Sequence, residues 1–278
     1  MTVFSKLHRF GLVLIFSVLA ASAYAQSQPA KQGYEPRVGQ AGKDVVWVPT
    51  PQALVDKMLD IAKVTPGDYL IDLGSGDGRT VITAAKRGLR AHGIEYNPEM
   101  VELATRAAAN EGVSDKATFA KADLYESDFS KATVITMFLL PEINLKLRPR
   151  ILNLKPGTRI VSNTFTMGEW TTDETVSVGG DDCYNWCTAL LWIVPAKVEG
   201  TWKLPDGELT LKQTFQTISG TLKSASGTAP VTGKLRGDQI SFSGGGSEYT
   251  GRVAGNNIEG IARAAGRDSK FSATRPGK

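Results

Sequence analysis

Three acids in this chain stand where a binding chemistry could be built: Asp72, Glu95 and Asp123. Asp72 lies inside Tyr69-Leu-Ile-Asp-Leu-Gly-Ser-Gly-Asp-Gly-Arg79, an apolar run that opens into glycines at alternate positions, 74, 76 and 78. Glycines so placed let the backbone turn tightly and bring a ligand close to bare N–H groups at a helix N-terminus. A dinucleotide fingerprint needs Gly-x-Gly-x-x-Gly, and counting from Gly74 and Gly76 puts Arg79 in the third glycine position, which argues against a dinucleotide. A carboxylate at Asp72, just before the first glycine, repels a diphosphate and welcomes a ligand that carries positive charge.

The elements that must hold these acids follow from the local pattern. Val64 to Leu73 reads as a buried strand entered through the Pro66-Gly67 turn, and Thr80 to Arg87 as the helix after it. Ala91-His-Gly-Ile-Glu95 reads as the second strand and Ala117 to Lys121 as the third, followed by Ala122-Asp123-Leu124. Three acids after three successive strands converge at one edge of a parallel sheet, where ligands bind in such folds. Taken singly, each has a plainer role: Glu95 suits a helix cap near Pro98, Asp123 a turn from Leu124 to Ser127, and the glycines a strand-to-helix turn.

Together the three acids and the glycine loop resemble motif I and its partners in class I S-adenosylmethionine (SAM) dependent methyltransferases. The resemblance implies SAM as cofactor, held by Asp72, Gly74, Ser75, Gly76, Gly78, Glu95, Tyr96, Asp123 and Leu124. Glu95 would accept from both ribose hydroxyls, and Asp123 would face the adenine amino group. Val48-Pro-Thr-Pro51, the glycine loop, Phe138-Leu-Leu-Pro141 and Met167-Gly-Glu-Trp170 are similar to bacterial relatives of the lysine methyltransferases that modify the ATP synthase c-subunit. On that likeness Leu139, Leu140, Pro141 and Glu142 line the methyl-acceptor side, and Glu142 and Glu169 are candidates to orient the acceptor or relay its proton, or else are capping and solvated carboxylates. The segment departs from the Asn/Asp-Pro-Pro-aromatic pattern of nucleic-acid amino methyltransferases. It offers an apolar wall suited to an alkyl side chain, or simply strand core. The resemblance implies a protein or small-molecule methyl acceptor and no nucleic acid. The alternative is a non-catalytic periplasmic ligand-binding or scaffold protein on the same fold.

The wider pattern predicts an α/β fold: a seven-stranded Rossmann-like sheet with helices on both faces, plus a small antiparallel β domain. Thr50 is a candidate N-cap with Pro51 at the first helical position, before Leu54, Val55, Met58, Leu59 and Ala62 at helical spacing. Pro98 to Asn110 and Pro141 to Leu152 read as further helices, and Thr133 to Leu140 and Thr158 to Phe165 as buried strands. Glu174 to Val178 and Ala189 to Val194 read as a closing antiparallel pair. After Pro195 the composition turns to Gly, Ser and Thr. Thr232-Gly-Lys-Leu-Arg-Gly-Asp-Gln-Ile-Ser241 is repeated as Thr250-Gly-Arg-Val-Ala-Gly-Asn-Asn-Ile-Glu259, with an echo at Ser219-Gly-Thr-Leu222. About six strands between Val198 and Thr274 are expected, as a meander closed into a small barrel or packed on the first domain. That domain either binds a partner or stabilises the first.

At the other end, Lys6, His8 and Arg9 precede an apolar run from Phe10 to Ala20, and Ala23-Tyr24-Ala25 supplies a small-x-small cleavage pattern. Residues 1–25 read as a signal peptide, 26–44 as a flexible arm, 45–195 as the methyltransferase domain and 196–278 as the β domain. A periplasmic or secreted protein with no stable membrane span after cleavage follows. Export sits awkwardly with a cofactor made in the cytoplasm. The net charge of +4 falls to about +2 without Lys6 and Arg9, and no Lys/Arg tract for nucleic acid is present. With His8 and His92 as the two histidines, metal and histidine-based nucleophilic chemistry are poorly supported. Cys183 and Cys187 fit a small disulfide if a turn brings them together, with redox catalysis the weaker reading because the spacing is not Cys-x-x-Cys.

Overall fold

The computed structural model describes residues 34–276; the expected signal peptide lies outside them. The first sheet holds β1 (Tyr69–Leu73), β2 (Arg90–Glu95), β3 (Ala117–Lys121), β4 (Val134–Met137), β5 (Arg159–Asn163), β6 (Glu174–Ser177) and β7 (Thr188–Ile193). Their order is β3-β2-β1-β4-β5-β7-β6. The first five run parallel and β7 pairs antiparallel to both β5 and β6. The chain builds outward from β1 to β3, then returns to lay β4 on the other side of β1. The crevice beyond the C-terminal ends of β1 and β4 is therefore the switch point at which open α/β sheets take ligands.

Alternation along the strands gives the sheet two apolar faces. Leu70, Val134, Val161 and Leu191 pack with helices α1 (Gln52–Ile61), α2 (Arg79–Lys86) and α3 (Pro98–Asn110). Ile71, Leu73, Ile135, Met137, Ile160 and Trp192 face the other way, against Ile143, Leu147 and Ile151 of α4 (Pro141–Ile151). Every apolar position set at helical spacing is buried, Leu54, Val55, Met58 and Leu59 in α1 and Ala62 just past its end, and Ile61 is buried with them. The start of α1 differs from expectation. Pro51 is the N-cap, without a side-chain cap bond, because the Thr50 hydroxyl is turned to Asn163 Nδ2 at 3.4 Å. Asn97, and not Glu95, caps α3, its side-chain oxygen accepting from the Glu99 N–H at 2.9 Å with Pro98 in the first turn.

The second domain is the expected meander closed into an antiparallel barrel, with eight strands where about six were expected. Its eight strands are β8 (Gly200–Leu204), β9 (Gly207–Thr214), β10 (Thr217–Ser224), β11 (Gly227–Arg236), β12 (Gln239–Gly244), β13 (Ser247–Ala254), β14 (Asn257–Ala264) and β15 (Arg267–Thr274). All successive strands are joined by two-residue turns, so the repeat seen in the sequence is one hairpin long. The repeated glycines sit where neighbouring strands come closest. A Cβ at Gly233 would lie 2.2 Å from Ser241 O, and one at Gly251 2.6 Å from Glu259 O, so a side chain there would hold the strands apart. Trp202, Leu209, Ile218, Val231, Ile240, Phe242 and Ile258 fill the interior.

Barrel and sheet meet through a few side chains. Phe215, in the β9–β10 turn, stacks on Trp170 with ring centroids 5.9 Å apart and planes 10° apart. Arg148 of α4 lies over the same ring at 5.3 Å. Gln216 donates to Thr171 O at 2.8 Å, and Ala196 N to Gly237 O at 2.8 Å.

Candidate active site

A pocket of about 210 Å³ opens at the C-terminal ends of β1, β2 and β4. Asp72, Gly74, Ser75, Gly76, Glu95, Tyr96, Asp123, Leu124 and Leu140, all singled out in the sequence, line it, and Leu139 joins them. Gly78, Pro141 and Glu142 are outside the lining. Gly78 is instead the left-handed N-cap of α2, pressed against Phe119 and Ala104. Glu142 occupies the first turn of α4, where a carboxylate complements the helix dipole. Glu169 is out in solvent, paired with Arg148 at 2.8 Å, and that guanidinium holds its carboxyl below the usual carboxylate range.

The glycine loop uses its N–H groups internally, which corrects the expectation that they stand bare. Gly74 N and Ser75 N both donate to Ile94 O, at 2.9 and 3.0 Å. Gly76 N donates to Glu95 Oε2 at 2.9 Å, and Asn97 N to Glu95 Oε1 at 2.9 Å. Glu95 thereby stitches the loop to the start of α3 and keeps one free acceptor site on each oxygen. A loop that has spent its donors is a poor phosphate cradle. What it presents to the pocket is carboxylate and bare Cα. Close approach is built in at Gly76, φ +52°, where a Cβ would lie 2.6 Å from the Trp47 indole nitrogen.

Asp72 is the buried charge of the site. It is 6 % exposed, and its Oδ1 accepts from Thr136 Oγ1 at 2.6 Å, the residue beside it in register on β4. Burial pushes its carboxyl up to about 7; the Thr136 bond opposes that rise, while the charges of Glu95 and Asp77 add to it. A buried carboxylate with no cationic partner is costly unless one arrives with the ligand. Beside it the Ser75 hydroxyl is buried without a hydrogen-bond partner.

Asp123 does have a partner, from a segment the sequence left as an arm. The described part of that arm is pinned rather than loose. Trp47 N donates to Gln40 O and Gly39 N to Trp47 O, Ala41 bridges Val46, and Lys43 Nζ bonds Asp123 Oδ2. That bond raises the Lys43 amine and lowers the Asp123 carboxyl from their ordinary values. Lys43 also lies 5.0 Å from the centre of the Tyr96 ring. Arg79 completes the closure, its Nη1 donating to Thr50 O at 2.9 Å and its Nε to Asp77 Oδ1 at 3.0 Å. Lys43, Trp47, Thr136 and Arg79 were not among the residues singled out. Of these Thr136 carried a signal, as the one polar residue in Val134-Ile-Thr-Met137.

The apolar part of the lining includes Met137, Phe138, Leu139, Leu140, Ile143, Phe165 and Trp186. Trp186 comes from the loop closed by the Cys183–Cys187 disulfide, the pairing that a turn between the two cysteines allows. Among the described residues no group of His, Cys, Asp and Glu could hold a metal ion, and no helix is long and apolar enough to cross a membrane.

A seven-stranded sheet of this order with an acid-lined glycine loop at its switch point defines a SAM-dependent methyltransferase. The comparisons agree: residues 72–174 match the model of the ANTKMT methyltransferase domain. A protein-lysine N-methyltransferase of Saccharolobus islandicus is 44% identical over 48% of this chain and 85% of its own length. The human ATP synthase c-subunit lysine N-methyltransferase is 33% identical over 49% of this chain and 58% of its own. A crystal structure described as an RNA methyltransferase from Salinibacter ruber, in complex with S-adenosylhomocysteine, superimposes with a TM-score of 0.51. It is 46% identical and covers 54% of this chain and 96% of that one. The chain belongs to this family of SAM-dependent methyltransferases, and its C-terminal barrel lies beyond the matched region.

Proposed function

We propose that the protein N-methylates lysine side chains of a protein acceptor, with Asp72, Gly74, Ser75, Gly76, Glu95, Tyr96, Asp123 and Leu124 holding SAM. The observation that carries the acceptor class is the 44% identity to the archaeal protein-lysine enzyme across 85% of its length. The site is consistent with it. SAM supplies an electrophilic methyl group on a sulfonium; the chain supplies binding and alignment. Asp72, buried and lacking a counter-cation, suits the amino group of the cofactor's methionine end. Glu95 retains acceptor sites for ribose hydroxyls, and Asp123 for an exocyclic amine once Lys43 yields.

A lysine must attack as the neutral amine, which near pH 7 costs roughly 4 to 5 kcal/mol at 1.36 kcal/mol per unit from a pKa of about 10.4. The acceptor wall helps by what it lacks: Phe138, Leu139, Leu140, Phe165 and Trp186 line it, and no carboxylate there holds the ammonium protonated. The same apolar wall departs from the polar-Pro-Pro-aromatic segment of nucleic-acid amino methyltransferases, so the reading favours lysine although the 46% identical neighbour is described as an RNA methyltransferase. We also propose export. The leader-like residues 1–25 and the Cys183–Cys187 disulfide support an oxidising compartment.

Calorimetric titration of the protein from Gln26 onward with SAM and S-adenosylhomocysteine, beside a D72A/E95A variant, tests the cofactor assignment. Binding lost in the variant is expected; no binding to well-folded protein would leave a scaffold on a methyltransferase fold. Labelled SAM with protein and RNA acceptors then separates lysine from base methylation.

A further inference from the structure

The aromatic wall is assembled from three separate segments. Phe138 follows β4, Phe165 follows β5, and Trp186 sits in the loop between β6 and β7. Phe138 stacks on Phe165 with centroids 5.8 Å apart and planes 19° apart. Trp186 leans on Phe138 at 6.0 Å and 58°.

Trp186 is held there at a cost. Its φ is +54°, a left-handed conformation that a bulky residue rarely adopts, and it keeps 43% of its surface exposed. The five residues Cys183 to Cys187 form a covalent ring. One end of that ring is tied to the sheet by Val178 N donating to Cys187 O at 2.9 Å. A small ring anchored this way fixes the backbone from which the indole projects. The outcome is an indole that lines the pocket with part of its surface exposed instead of being buried in the core.

The occupant follows from charge. The acids that line the pocket are Asp44, Asp72, Asp77, Glu95 and Asp123, none of which belongs to the segments that form this wall. A group entering along the wall meets aromatic faces and aliphatic side chains. An alkylammonium fits: its methylene stem packs on Leu140 and Phe165, and its cation gains from the ring faces, a weaker hold on its proton than a carboxylate would be.

We propose that Trp186, clamped by the Cys183–Cys187 ring, forms with Phe138 and Phe165 the acceptor subsite that selects a lysine side chain. The subsite rests on the methyltransferase reading above. Trp186 is its specificity-determining residue and the disulfide ring its support. A nucleobase could also stack on such a wall, so it is an arm of the test.

The experiment uses protein saturated with S-adenosylhomocysteine and follows binding of four probes by NMR: Nα-acetyl-lysine methylamide, its Nε-trimethyl form, the neutral norleucine isostere, and adenosine. The trimethyl-lysine probe is expected to bind about two- to five-fold more tightly than the norleucine isostere, in line with an exposed cation–π contact. W186A should lose that preference and W186F should keep most of it. C183S/C187S should lose part of it, all with unchanged affinity for S-adenosylhomocysteine. Full retention of the trimethyl-lysine preference by W186A, or norleucine or adenosine binding to wild type as tightly as trimethyl-lysine, would overturn the subsite while leaving the cofactor site standing. Wild-type protein that fails to bind S-adenosylhomocysteine would remove the methyltransferase reading and the subsite with it.

Discussion

Thr136 Oγ1 and Asp72 Oδ1 lie 2.6 Å apart across the pairing of β4 with β1, so the one buried carboxylate of the pocket depends on a hydroxyl from the neighbouring strand. With burial pushing the carboxyl from 3.8 to about 7, the folded protein holds a proton between those values that the unfolded chain has released. By linkage, stability then falls as pH rises from about 4 to about 7 and stays reduced above. D72N, free of that titration, should melt at least about 2 °C above wild type at pH 8 in the absence of ligand, with the gap closing toward pH 4. A gap independent of pH would show that the charged form is comfortable where it sits.

Removing the donor tests the same pair from the other side. In T136V the Asp72 proton is held more tightly still, so the affinity for S-adenosylhomocysteine at pH 7 should drop by about ten-fold, the scale of a hydrogen bond to a charged group. The loss should shrink at pH 8.5, where the carboxyl ionises. Titrations at the two pH values check it, and an equal loss at both would point to packing rather than protonation.

Lys43 Nζ bonds Asp123 Oδ2, where it would compete with a ligand amine for the carboxylate. K43A should therefore bind S-adenosylhomocysteine a few-fold more tightly than wild type at low salt, the difference fading by about 0.5 M salt because the pair is exposed and screened. Weaker binding in K43A would mean that the lysine grips the ligand instead of standing in its place.

The Phe215–Trp170 stack is an apolar contact between barrel and sheet. F215A should cost about 1–3 kcal/mol and split a single thermal transition into two, visible by calorimetry. A single unshifted transition would show that the backbone link and the hydrogen bonds suffice.

Much of the sheet and half of the site were legible because their signals are local. Asp72, Glu95 and Asp123 each stand at or just beyond a strand whose composition announces it, and parallel pairing does the rest. Lys43 and Trp47 were not legible. They reach the pocket through tertiary closure, and a Gln, Gly and Lys-rich stretch resembles any solvated arm until Gly76 is seen to leave room for an indole. Trp186 was hidden likewise, because its place depends on the disulfide ring and not on its neighbours in sequence. Thr50 was misread as a cap because a hydroxyl before a helix has one common use, and here Asn163 claims it. The barrel was undercounted because strands built from Gly, Ser and Thr alternate weakly. The two-residue turns, read strictly at a period of ten, would have given eight.

The barrel's first and last strands lie side by side, Thr274 opposite Lys203, and Arg275 folds over Trp202 at 4.3 Å while donating to Glu199 O and Lys197 O at 3.1 and 2.8 Å. The loop of chain that makes the barrel thus closes on its own entrance, and among the described residues no strand after β7 joins the first sheet. Such a module can be exchanged, duplicated or lost between relatives without rethreading the catalytic sheet, which leaves the two halves free to evolve under separate constraints.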